Sequence, residues 1–166
     1  MNSRHPILRG LFFALEVLLL WLLQSTPRLL PEVFGAKPVL LLALALAISV
    51  CVAPVPAVIW GAVCGAAADL AAGGTVGYFT IVCTLVCFVQ ASVLGTYINR
   101  NWFTAAVLSF GSVAVVLGLY FVMQWLFRGV PDGGVLFVRH YVPRMAYTAA
   151  AFVPVYILNR ILTKHF

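Results

Sequence analysis

A chain of 166 residues in which 64% are hydrophobic and 8% charged, at a mean hydropathy of +1.09, carries more apolar side chain than a water-soluble domain of that size can enclose. It is therefore read as an integral membrane protein, with room at about 20 apolar residues per crossing for roughly six spans and little else. The net charge of +6 does not mark a nucleic-acid binder, because the ten Lys and Arg stand singly between hydrophobic segments with no basic run or groove-reading motif.

In chain order, the first span is expected at about 6–23, behind Arg4 and Arg9 and with Trp21 at an interfacial position. It resembles a signal peptide only in its basic start; the run is long and further spans follow, so it reads as an uncleaved helix. Gln24 to Lys37 carries two prolines, a glycine and three charges and must be a loop. Its Leu29, Leu30, Val33 and Phe34 are apolar enough to lie on the membrane or over the bundle mouth.

Residues 38–72 are almost unbroken apolar sequence, which as one helix would reach roughly 52 Å against a hydrocarbon core of about 30 Å. Ala53-Pro54-Val55-Pro56 supplies a break, with Val55 extended, giving span two at about 38–53 and span three at about 56–72. Span two, at about 24 Å, is short, so one end requires shielding by protein or a thinned bilayer. Gly73-Gly74 makes a tight turn into span four, about 77–98. Asn99-Arg100-Asn101 separates it from span five, about 102–127, and a turn-rich loop from Arg128 to Gly134 leads to span six, about 142–162, where Pro154 is a possible kink. The fold class expected is all-α, a compact bundle of six transmembrane helices in a single membrane domain, 1–166.

Six spans put both termini on one side. With a cytoplasmic N-terminus the inner cations are Arg4, Arg9, Arg100, Arg160 and Lys164, and the outer ones Arg28, Lys37, Arg128, Arg139 and Arg144, a tie. The two arginines ahead of the first helix favour cytoplasmic termini.

Polar and small residues inside the spans carry the functional signal. Gly61, Gly65 and Asp69 recur every four residues on one face of span three, extended by Ala68 and Ala72. Span four offers a matching stripe of Thr80, Thr84, Cys87, Ala91 and Gly95. The simpler reading is that spans three and four pack closely; the alternative is a groove for another protein's helix. Asp69 stands in the last turn of its helix, where the dipole disfavours an anion, so it needs compensation from the hairpin or from Arg28, Arg139 or Arg144. Proton carriage is the less economical role. Glu16 falls near mid-membrane, where a carboxyl is costly and faces the bundle interior; Gln90 is its expected neighbour, with a relay or a partner contact as alternatives.

Cys83 and Cys87 share a helix face, but no His or further Cys at their depth completes a metal shell, and Cys51 and Cys64 read as small hydrophobes. His5, His140 and His165 all stand at span ends. No nucleophile, base and orienter set or paired carboxylates appear, so neither an enzyme nor a cofactor is expected.

Lys37-Pro38-Val39-Leu40-Leu41-Leu42, followed by the G-x-x-x-G-x-x-x-D-L pattern at Gly61, Gly65, Asp69 and Leu70, the Gly73-Gly74 turn and Gly77, resembles the bacterial rod shape-determining protein family MreD. The resemblance implies a non-enzymatic scaffold of the elongation complex in the bacterial cytoplasmic membrane, in contact with lipid. It would bind the single-span protein MreC and help couple MreB filaments to RodA and its transpeptidase partner. It also implies a fold similar to the S component of energy-coupling-factor vitamin transporters, which keeps a small-solute binder as the alternative. Ala66-Ala67-Ala68 departs from the bulkier aliphatics common in the family before the aspartate.

Overall fold

A helix with no polar face has to be covered on every side, and the segment LLLALALAISVC is such a helix. The computed structural model describes residues 6–26, 38–72, 77–96, 102–128 and 141–165, and all its regular structure there is helical. The helices are α1 (Pro6–Ser25), α2 (Leu40–Cys51), α3 (Pro54–Ala72), α4 (Tyr78–Thr96), α5 (Trp102–Arg128) and α6 (Val142–His165). α2 is the axis of the bundle: every residue from Leu40 to Val50 is buried, and all five other helices touch it.

Among the described residues six helices stand where six spans were expected, and five of them are of spanning length. α1, α3, α4, α5 and α6 are long and apolar enough to cross a membrane, whereas α2 has 12 residues, roughly 18 Å against a core of about 30 Å. Its shielding comes from protein on all sides. The first amides of any helix lack intrahelical partners, and here they are buried. Two other helices satisfy them: Val39 N–H donates to Thr148 Oγ1 of α6 (3.2 Å) and Leu41 N–H to Gln24 Oε1 of α1 (3.2 Å).

The break between α2 and α3 also falls earlier than the proline pair suggests. Val52 is the extended residue (φ −115°, ψ 170°), while Pro54, Val55 and Pro56 are all helical. Proline is tolerated in a first turn because its missing N–H would have no partner there. Pro154 lies inside α6.

Around α2 the core is completed by Phe13 and Val17 of α1, Cys64 and Ala68 of α3, Phe79, Cys83 and Cys87 of α4, and Leu117 of α5. All four cysteines are free thiols. The outer faces are equally apolar: Leu11, Leu70 and Phe103 are each more than 60% exposed. A bilayer is the solvent in which both an apolar interior and an apolar exterior are stable. α3 and α4 run antiparallel, as the pairs Gly65 with Phe79 and Gly61 with Cys87 show, and so do α4 and α5, where Tyr78 meets Val116 and Gln90 meets Ser109.

Candidate functional site

The small-residue faces of α3 and α4 meet each other. A Cβ placed on Gly65 would lie 2.6 Å from the carbonyl oxygen of Phe79 and 2.6 Å from Thr80 Cα; one on Gly61 would lie 3.0 Å from Cys87 Cβ and 3.2 Å from the Cys83 carbonyl oxygen. The backbone of α4 fills the groove that glycine opens, and Ala68 is buried on the same helix. The face is thus occupied by α4 within the chain. At the far end of the α4 stripe Gly95 has nothing within 4 Å of its Cβ position, so the close approach does not extend that far.

Asp69, 6% exposed, caps the start of α4. Its carboxylate accepts hydrogen bonds from the backbone amides of Gly77 (3.1 Å), Phe79 (3.0 Å) and Thr80 (3.0 Å), and from Thr80 Oγ1 (2.6 Å). An anion that its own helix dipole disfavours is held by the amides and dipole of the next helix. Gly77 joins this cap at φ +95°, where a side chain would be strained. The compensation therefore comes from the hairpin. Arg144, named as a basic partner, instead has its guanidinium 5.9 Å from the centre of the Tyr120 ring. Arg28, Arg139, Gly73 and Gly74 lie outside the described residues.

An aromatic cluster that the sequence reading missed surrounds this end of the bundle. Tyr120 of α5 stacks on Phe79 (5.3 Å between centroids) and lies 5.4 Å from Tyr78, whose hydroxyl donates to the Val116 carbonyl (2.9 Å). Tyr141 packs on Phe121 at 4.9 Å. The signal was present as aromatics near the ends of three segments, but only the antiparallel packing brings them together.

The two intramembrane polar residues belong to different seams, which corrects their expected pairing. Gln90 Nε2 donates to Ser109 Oγ (2.8 Å), and Ser112 Oγ donates to Gln90 Oε1 (3.1 Å), joining α4 to α5. Glu16 faces α6, where Asn159 Nδ2 donates to its Oε1 (3.1 Å). Equal depth along two helices does not make them neighbours, and here each residue takes its partner from the helix beside its own. Asn159, buried completely, was the polar residue in YILNRIL that sequence reasoning passed over.

A cleft of about 570 Å³ between α4 and α5 is walled by Leu85, Val86, Val89, Val107 and Leu108, with Gln90 at its side already paired. A smaller one of about 320 Å³ runs along the outside of the hairpin past Asp69. Among the described residues no three His, Cys, Asp or Glu side chains come together.

A family model described as rod shape-determining protein MreD matches residues 4–166, from ahead of α1 to the end of α6. The chain belongs to the MreD family. No curated protein and no solved structure gives a match. Membership extends the Lys37 to Gly77 resemblance over nearly the whole chain, and it makes this a rod shape-determining membrane protein. The Asp69 cap and the α3–α4 glycine contact are thus the structural expression, in this family member, of the G-x-x-x-G-x-x-x-D-L pattern.

Proposed function

We propose that this protein is a non-enzymatic scaffold of the complex that builds the lateral cell wall. It sits in the bacterial cytoplasmic membrane with both termini cytoplasmic, binds MreC, and helps couple MreB filaments to RodA and its transpeptidase partner. The observation that carries the reading is where the polar side chains go. Asp69 holds the start of α4, Gln90 holds α5, and Gln24 and Thr148 hold the start of α2. These groups tie helix to helix and do not converge on a cavity. Family membership supplies the role in rod shape.

With the Gly61 and Gly65 face filled by α4, docking of MreC falls to the outer apolar faces, where Leu15, Leu85, Phe110 and Ile157 are exposed on four different helices. A solute binder related to S components would require polar groups directed into a cavity, and no specific observation favours it. The test is in-cell photocrosslinking from those four positions in a strain that depends on this protein for its shape. A crosslink to MreC from one face supports the scaffold. Rod shape maintained by all four variants with MreC captured by none would refute it.

A further inference from the structure

The seam between α1 and α6 holds an arrangement that neither family membership nor the scaffold reading uses. Asn159 Nδ2 donates to the Val155 carbonyl (3.1 Å) as well as to Glu16 Oε1 (3.1 Å), which commits both amide hydrogens. This fixes the amide orientation, because the reverse would set Oδ1 against the Val155 carbonyl, two acceptors together. Two oxygens remain, Glu16 Oε2 and Asn159 Oδ1, both inaccessible to water and without a hydrogen-bond partner. An ionised Glu16 would leave both of these as buried acceptors without a donor.

We propose that Glu16 is the neutral carboxylic acid and forms a reciprocal two-bond clasp with the Asn159 carboxamide, fastening α1 to α6. Nδ2–H donates to Oε1, and the carboxyl proton on Oε2 donates back to Oδ1. A carboxyl and a carboxamide are planar groups of matching spacing, so two such bonds close a single eight-membered ring. One proton satisfies both orphaned oxygens and removes the charge from the membrane interior. α1 is the span that the rest of the bundle covers least; besides Gln24, which accepts from the Leu41 N–H near its C-terminal end, it packs through apolar contacts such as Phe13 edge-on to Trp60 at 5.5 Å. Apolar contacts let a helix slide or rotate; the clasp, with the Gln24 bond two turns further on, fixes the register and the rotation of α1.

The assignment is independent of which partner the protein binds. Infrared spectra of the bilayer-reconstituted protein test it at about neutral pH, where a free glutamate of pKa about 4.3 is ionised. The chain has four acidic residues, so a single carboxyl is resolvable by difference. Wild type minus Glu16→Gln is expected to show the carbonyl stretch of a protonated acid, sensitive to D2O, and Asn159→Leu to move that band to higher frequency as the acid loses its acceptor. Gln can make both bonds, so E16Q should melt with wild type, while Glu16→Leu melts about 3 °C lower. A wild-type spectrum without the acid band, or an E16Q protein that melts below wild type, overturns the proposal. Neither readout requires the Leu variant to fold.

Discussion

Gly65→Ala adds one methyl group where the structure has no room for it. The new Cβ would stand 2.6 Å from the Phe79 carbonyl oxygen and from Thr80 Cα, and 2.9 Å from the Phe79 carbonyl carbon. Ordinary contact begins near 3.4 Å, and the obstructing atoms are backbone, so α4 must retreat by about 0.8 Å at its first turn. That turn is the one Asp69 holds through amides at 3.0 and 3.1 Å, and the same retreat would carry them past good hydrogen-bonding distance. Overpacking costs about 1–3 kcal/mol and a weakened cap about 1 kcal/mol, while alanine's helix propensity returns about 1 kcal/mol. The net loss is about 2 kcal/mol, or a melting temperature lower by about 4–8 °C for a chain of this size. Thermal unfolding in detergent, followed with a thiol-reactive fluorophore, reads this directly, because Cys64, Cys83 and Cys87 are buried free thiols that react as the bundle opens. Gly118→Ala is the control: its Cβ position has nothing within 4 Å, so it should melt at or slightly above wild type. A Gly65→Ala protein as stable as the Gly118→Ala control would refute the argument that α4 closes on the α3 glycine face.

Two further outcomes follow from the hydrogen bonds. Asp69→Ala removes the acceptor for three amides and a hydroxyl at the start of α4, and should cost about 2 kcal/mol, read as a lower melting temperature and a lower folded yield in membranes. Thr148→Val keeps the side-chain shape but leaves the Val39 N–H, at the buried start of α2, without its partner; a loss of about 1 kcal/mol is expected in the same assay, and no change would show that this amide does not depend on α6.

Much of the architecture is legible in the sequence because hydropathy and turn chemistry act locally. The polar breaks around Gln24 to Lys37, at Asn99-Arg100-Asn101 and after Arg128 delimit apolar runs of helical length, and the observed helices begin and end within a few residues of them. The facing small-residue stripes of α3 and α4 are likewise readable, since glycine and alanine at every fourth position can serve close approach whatever the partner. The neighbour of a polar group is not readable in this way. Glu16 and Gln90 each required a donor or acceptor at mid-membrane, yet nothing local states that α6 supplies Asn159 to one and α5 supplies serines to the other.

α2 marks the same boundary. Its sequence determined that it is helical, apolar throughout and short against the bilayer core. In water, uniform hydrophobicity would announce a central helix, but in a bilayer lipid covers an apolar face as well as protein does, so the pattern does not distinguish an interior helix from one that faces lipid. Tertiary structure decided that α2 is the axis, because its first amides need partners that lipid cannot offer, and Gln24 and Thr148 on two other helices provide them.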